Sequence, residues 1–144
     1  MKAGLDLVIP DACVLSKWVL EEADSPLALK LQMDLEIEQI SMSVPDHCFT
    51  EILNTLGRKW PDSALQFFSY LHMTRIVQCR STLETVSLSL KLMKKYPKIT
   101  FYDASYHALA IHEKGIFVTV DERYFKTTRK EGCITLLEDY VRLN

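Results

Sequence analysis

The sequence predicts an α/β fold built on a parallel sheet covered on both faces. Three observations carry this: short apolar runs alternate with stretches of helical periodicity, turn residues close the runs, and no repeat, linker or biased segment interrupts the series. At 144 residues, 48% apolar and 25% charged, with 4 Gly and 5 Pro, the chain has the composition of one packed domain over residues 1–144.

The first run, Leu5 to Ile9, is short and closed by Pro10-Asp11, which predicts a strand ending at the proline. Ser25-Pro26 opens a helix that should reach about Gln39. Ser43 to Pro45 is a brief strand. Asp46 can cap the next helix, whose stripe is Phe49, Ile52, Leu53, Leu56 and Trp60. Pro61 stops that helix and opens another over Asp62 to His72, with Leu65, Phe68 and Leu71 on one side. Arg75 to Cys79 is a small strand. Ser81-Thr82-Leu83-Glu84 resembles a capping box before the stripe Leu83, Val86, Leu90 and Met93, in a helix running to Tyr96-Pro97. Asp103 starts a helix rich in small residues that ends at Lys114-Gly115. Ile116 to Val120 is the clearest strand, Glu122 to Lys130 a helix, and Cys133 to Leu137 a last strand after Gly132.

Lys and Arg number 17 against 19 Asp and Glu, so a net charge of -2 supplies no global field to attract nucleic acid. Any such contact must be local. The longest stretch free of Asp, Glu, Lys and Arg, Ser63 to Thr74, is 12 residues, short of the ~20 a membrane span requires. The N-terminal run is too short and acidic for a secretory leader, which predicts a cytoplasmic protein. Cys13, Cys48, Cys79 and Cys133 lack metal-finger spacing and read as free, mostly buried thiols.

In such folds reactive groups gather beyond the carboxyl ends of the strands, where the strand order reverses. Asp11 and Asp121 follow the two best-defined strands, Asp103 lies in the first turn of a helix, and Glu51 sits beside an apolar stripe. Singly, each reads as a cap, a turn residue or a solvated helix position. As a set they predict a shared site. Carboxylates a few Å apart repel by roughly 4 kcal/mol per pair at an effective dielectric near 20, and so call for a cation. All-oxygen ligation selects Mg²⁺ or Mn²⁺, and the chemistry this implies is phosphodiester hydrolysis.

Four segments carry a family resemblance: Val8-Ile9-Pro10-Asp11-Ala12-Cys13-Val14-Leu15-Ser16-Lys17-Trp18, Thr50-Glu51-Ile52-Leu53-Asn54-Thr55-Leu56, Phe101-Tyr102-Asp103-Ala104-Ser105-Tyr106-His107-Ala108-Leu109-Ala110, and Val118-Thr119-Val120-Asp121-Glu122-Arg123. In order and spacing they resemble PIN-domain ribonucleases of the VapC toxin type. The resemblance implies a three-layer α/β/α sandwich with a central, mainly parallel sheet and Mg²⁺- or Mn²⁺-dependent cleavage of single-stranded RNA. It also implies a homodimer and a small antitoxin partner. It makes Asp11, Glu51, Asp103 and Asp121 the catalytic and metal-binding acids, with Asn54 and Thr119 supporting them from behind.

Cys13 departs from the family, which commonly has a hydroxyl there. It either acts as a poorer hydrogen-bonding neighbour of a metal-bound water or packs as a small apolar spacer. His107 stands where an apolar residue is common, and either bonds Asp103 or packs partly exposed. Candidate RNA contacts are Lys17, Arg58, Arg123 and Lys126, while Arg129-Lys130 and Lys94-Lys95 read equally as solvated faces. His47, His72 and His112 receive no role. Leu65, Phe67, Phe68, Tyr70 and Leu71 are more apolar surface than one helix face can bury, which adds to the expectation of a dimer. A non-catalytic PIN scaffold and a housekeeping RNA-processing nuclease are the competing readings.

Overall fold

A computed structural model describes residues 4–143. The elements are β1 (Asp6–Pro10), α1 (Ala12–Ser16), α2 (Ser25–Glu36), β2 (Ile40–Pro45), α3 (Cys48–Gly57), α4 (Pro61–Met73), β3 (Val77–Cys79), α5 (Leu83–Lys95), α6 (Phe101–Glu113), β4 (Ile116–Thr119), α7 (Glu122–Thr128), β5 (Ile134–Leu136) and α8 (Leu137–Leu143). A single 3-10 turn, Arg129–Glu131, lies between α7 and β5.

All strand pairs are parallel, in the order β3-β2-β1-β4-β5. From β1 the chain winds outward through β2 to β3, then returns to place β4 on the other side of β1. The carboxyl ends of β1 and β4 are therefore neighbours at the reversal of strand order, the place predicted for chemistry. Pro10 is tolerated as the last residue of β1, paired with Val118, and the next amide resumes bonding, Asp11 N–H donating to Val118 O at 3.0 Å. At the other end of this seam Gly115 is required for space, because a Cβ there would stand 2.7 Å from Leu7 O. The left-handed residue that closes α6 is Lys114, φ 57°, rather than that glycine.

The strands are buried on both sides: Val8, Ile9, Val44 and Val118 are fully enclosed and Phe117 nearly so. Helix α6 packs on β1, β2 and β4 and carries α5 on its back, whereas α2 meets β2, and α8 meets β4 and β5. The result is the α/β sandwich the sequence predicted.

Several helix faces differ from expectation. In α4 the core takes Ala64, Phe67 and Leu71, with Leu65 exposed and Phe68 and Tyr70 half-buried, so the buried face lies one residue from the predicted one. In α5 the buried residues are Thr85, Ser89 and Leu92, while Leu83 and Leu90 face solvent. Its capping box uses Thr85 in place of Glu84. Trp60 falls outside α3 and is exposed, and His47 rather than Asp46 occupies the N-cap. Helices α1 and α8 are additions to the sequence reading. The cysteines are free as predicted, but only Cys48 is buried.

Candidate active site

Asp11 ends the β1 run and caps α1: its Oδ1 accepts from Cys13 N–H at 3.3 Å, and its Oδ2 accepts from the Thr119 hydroxyl at 3.0 Å. The same Thr119 oxygen accepts from Asp121 N–H at 3.1 Å. Thr119, fully buried at the end of β4, thus joins the two acids through one side chain. Asp11 is buried, and burial pushes its carboxyl up to about 6; the charges of Asp103 and Glu51 add to the rise, and its two hydrogen bonds oppose it.

Asp121 caps α7, its Oδ1 accepting from Tyr124 N–H at 2.9 Å, and its side chain is otherwise exposed. Asp103 occupies the first turn of α6, where its amide donates to the capping hydroxyl of Thr100 at 3.1 Å. Desolvation and then the charge of Asp121 raise the Asp103 carboxyl. Asp11 and Asp103 therefore each feel another acid, so separately unremarkable caps and turns share one electrostatic site.

Glu51 is treated differently. Its Oε1 contacts His47 Nδ1 at 2.5 Å and accepts from the Tyr106 hydroxyl at 3.0 Å. The other imidazole nitrogen, Nε2, lies 2.7 Å from Ser105 Oγ, which is itself 2.6 Å from Tyr102 O. The ring of His47 also meets Tyr102 and Tyr106 edge-on, both centroids at 5.3 Å. This clamp ties α3 to α6.

An oxygen-only set of carboxylates, two of them raised by burial and by neighbouring acids, has the chemistry to hold a hard divalent ion. Among the described residues no three His, Cys, Asp or Glu side chains converge as a ready-made cage. The arrangement fits an ion taken by one or two carboxylates with water completing its shell, which is the habit of Mg²⁺.

The other predicted residues divide. Cys13 is exposed at the rim, so it is no packing spacer, and desolvation followed by the charge of Asp11 pushes its thiol up to about 11. Asn54 is exposed on α3, and its side chain makes no hydrogen bond among the described residues. Lys17 is buried, its ammonium 3.0 Å from Glu22 and 2.9 Å from Asp24, and a side chain so enclosed and paired is not offered to a phosphate in solvent. Arg58, Arg123 and Lys126 are exposed, but only Arg123 lines a cleft together with Asp103 and Asp121. His107 is fully buried and does not meet Asp103; it bonds Gly132 O at 2.7 Å and the Tyr124 hydroxyl at 3.0 Å. Burial lowers it, keeping it neutral, so Nε2 donates to the carbonyl and Nδ1 accepts from the tyrosine.

Sequence reasoning passed over His47, Ser105, Tyr106 and Lys98. The spacing of His47 and Glu51, four residues apart on one helix, was a usable signal. A larger cleft of about 860 Å³, lined by Trp18, Gln32, Leu56, Trp60, Phe67 and Tyr70 among others, contains none of the four acids.

With this geometry the family assignment follows: the PIN domain model matches residues 8–131, and the chain belongs to the PIN domain family. No curated protein sequence matches it. Among solved structures it is similar to a toxin-antitoxin complex from Klebsiella pneumoniae, at 12% identity over 90% of this chain and 97% of that one, TM-score 0.67. It is also similar to VapBC2 from Rickettsia felis bound to a promoter DNA fragment, at 11% identity over 90% and 96%, TM-score 0.66. A third is VapC20 from Mycobacterium tuberculosis, described as a Sarcin-Ricin loop cleaving toxin, at 12% identity over 75% and 84%, TM-score 0.63. At such identities the likeness is one of fold.

Proposed function

We propose that this chain is a Mg²⁺- or Mn²⁺-dependent endoribonuclease that cleaves single-stranded RNA and serves as the toxin of a VapBC-type pair. The observation that carries the reading is the acid site at the reversal of strand order, where burial and neighbouring acids raise Asp11 and Asp103. Asp11 and Asp103 would hold the ion, with Asp121 and Glu51 completing the acid ring. A divalent ion bound there supplies an activated water and charge stabilisation at the scissile phosphate. Thr119 fixes the rotamer of Asp11 and the backbone of Asp121, and the His47–Tyr106 clamp fixes Glu51, so the acids are oriented before substrate arrives.

Membership of the PIN family supports nuclease chemistry, and the toxin-antitoxin neighbours support a small antitoxin as partner. The aromatic cleft lined by Trp18, Trp60, Phe67 and Tyr70 offers apolar surface for such a partner or for a second subunit of a homodimer. No helix of the described residues is long and apolar enough to cross a membrane, which agrees with a cytoplasmic site of action.

The test is incubation of purified protein with a panel of single-stranded and structured RNAs in Mg²⁺, Mn²⁺ or chelator. Expected are discrete cleavage ends with either metal and none in chelator, together with a rise in thermal midpoint on adding metal that Asp11→Asn and Asp103→Asn each diminish. Cleavage that persists in chelator, or variants as active as the parent, would overturn the assignment. Loss of all activity in every metal, with the fold intact, would favour a non-catalytic scaffold.

A further inference from the structure

Asp103 and Asp121 form one side of a cleft of about 570 Å³ that runs between the α5–α6 turn and α7. Its other walls carry Lys95, Lys98 and Arg123. These three cations are not equivalent. Lys95 Nζ is bound to Glu131 at 2.8 Å, and the Tyr96 hydroxyl bonds the same carboxylate. Lys95 and Lys130 each stand 5.7 Å from the Tyr96 ring. This knot braces the α5–α6 turn against the 3-10 turn that follows α7, making a fixed wall and committing Lys95. Lys98 and Arg123 make no ion pair among the described residues and are exposed. One lies in the α5–α6 turn and the other in the first turn of α7, so the free cations stand on two different elements that both border the acids.

Building on the ribonuclease reading, we infer that this cleft is the seat of a single strand of RNA, with Lys98 and Arg123 each holding a backbone phosphate on either side of the acids Asp103 and Asp121. The charge pattern selects this occupant. A phosphodiester strand carries one negative charge per residue at even spacing, so two phosphates can meet the free cations while the one between them lies over acids that call for a metal ion. An acidic peptide would bring its carboxylates against Asp103 and Asp121 with no such ion to share. The volume lies in the range that holds small molecules, ~300–1,000 Å³, room for a short stretch of one strand. Lys98 is a contact that no feature of the sequence singled out, and Lys17 is excluded by its own ion pairs.

Anisotropy of a labelled single-stranded RNA oligonucleotide tests this on the full chain, on ice, in Mg²⁺ and in chelator, between about 50 and 300 mM NaCl. Each phosphate contact to a single strand adds ~0.7 to the slope of log affinity against log salt, so Lys98→Ala with Arg123→Ala should lower the slope by about 1.4. The expected companion results are a matching fall in kcat/KM, an unchanged thermal midpoint, and no change of slope for Lys91→Ala with Arg80→Ala, two exposed cations outside this cleft. An unchanged slope in the Lys98 and Arg123 variant while the parent still cleaves RNA would overturn the seat and leave the nuclease reading standing. Parent protein that neither binds nor cleaves RNA would overturn both. Equal binding of duplex RNA, or full competition by polyglutamate, would replace the single strand by another occupant and likewise overturn the inference.

Discussion

Asp11 and Glu51 are both acids at the same edge of the sheet, yet the fold handles their charges in opposite ways. Asp11 is enclosed, held only by an amide and a hydroxyl, and its carboxyl is pushed up to about 6. Glu51 is half-buried and receives two donors on one oxygen, from a histidine and a tyrosine rooted in different helices. The difference separates two roles that the sequence presents as one motif. Asp11 is taken out of water and its two hydrogen bonds do not offset that, which poises it to take up a cation, whereas Glu51 keeps part of its surface in solvent and is held from two helices, which suits it to orienting rather than to gripping.

The largest break in this comparison is Asp11→Asn. Cleavage should fall at least about a hundredfold, the upper range for disturbing a metal site's surroundings. Stability should move the other way. A folded-state carboxyl raised from 3.8 to about 6 binds more protons than the unfolded chain between those values, so the parent loses stability as pH rises through that window. The full shift corresponds to about 3 kcal/mol, and the lost acceptor offsets part of it. Urea unfolding should show Asp11→Asn more stable by about 1 kcal/mol or more at pH 7.5, with the advantage gone near pH 4. A variant less stable at both pH values would contradict the account of Asp11 as uncompensated.

On the clamped side the effect should be smaller. His47→Ala removes one donor from Glu51 and the tie to Ser105, and kcat should drop about tenfold with KM little changed. His47→Gln, which can still donate one hydrogen bond, should recover part of the loss. Tyr106→Phe should cost only a few-fold, and the double variant should lose less than the product of the two, because both act on one oxygen. Strict multiplicativity would show that the two donors do not act through Glu51.

Away from the acids, His107 sharpens the contrast with Asp11 by reversing the sign of the pH effect. Its folded form is held neutral by burial, so it costs stability as pH falls below the usual imidazole range, whereas Asp11 gains there. His107→Ala should cost about 2 to 3 kcal/mol, since it leaves Gly132 O without its donor and opens a cavity beside Phe117. Activity per folded molecule should stay the same.

The sheet and its acid edge were legible because strand ends are marked locally: Pro10-Asp11 and Thr119-Val120-Asp121 carry both the stop and the functional residue. The buried face of α5 was not. Leu92 packs with Ala104 and Ala108 of α6, and Thr85 and Ser89 line a small space with Phe101, Ser105 and Leu109, so the buried face of α5 is built largely of small polar side chains and no apolar period exists to read. In α4 the small Ala64 hid the true face in the same way. Lys17 illustrates a different failure, because its neighbours Glu22 and Asp24 were visible in sequence but the turn that folds them back onto it was not. His107 needed partners 17 and 25 residues away, and the Ser105 that holds the far side of His47 lies 58 away. Long-range pairing leaves no periodic trace.

The smallest expected effect belongs to Cys13, and the structure narrows what it can be. Its backbone amide, not its sulfur, donates to Asp11, so any residue but proline at this position keeps that bond. Its side chain meets solvent, so changing it should move stability by no more than about 0.5 kcal/mol. With the thiol pushed up to about 11 by desolvation and by the charge of Asp11, it stays protonated at neutral pH and offers no thiolate to a softer metal. What remains is a weak hydrogen-bonding group at the rim of an acid site. Cys13→Ser replaces it with a stronger donor and acceptor of similar size, and Mg²⁺-dependent cleavage should rise about two- to threefold, within the range of such supporting contacts. Cys13→Ala should match the parent. Alkylation by iodoacetamide at pH 8 should be slower than for a free cysteine, and addition of metal should speed it by neutralising nearby acids. Fast alkylation without metal, or a serine variant no faster than the parent in either Mg²⁺ or Mn²⁺, would separate Cys13 from the acid site and confine the comparison to Asp11 and Glu51.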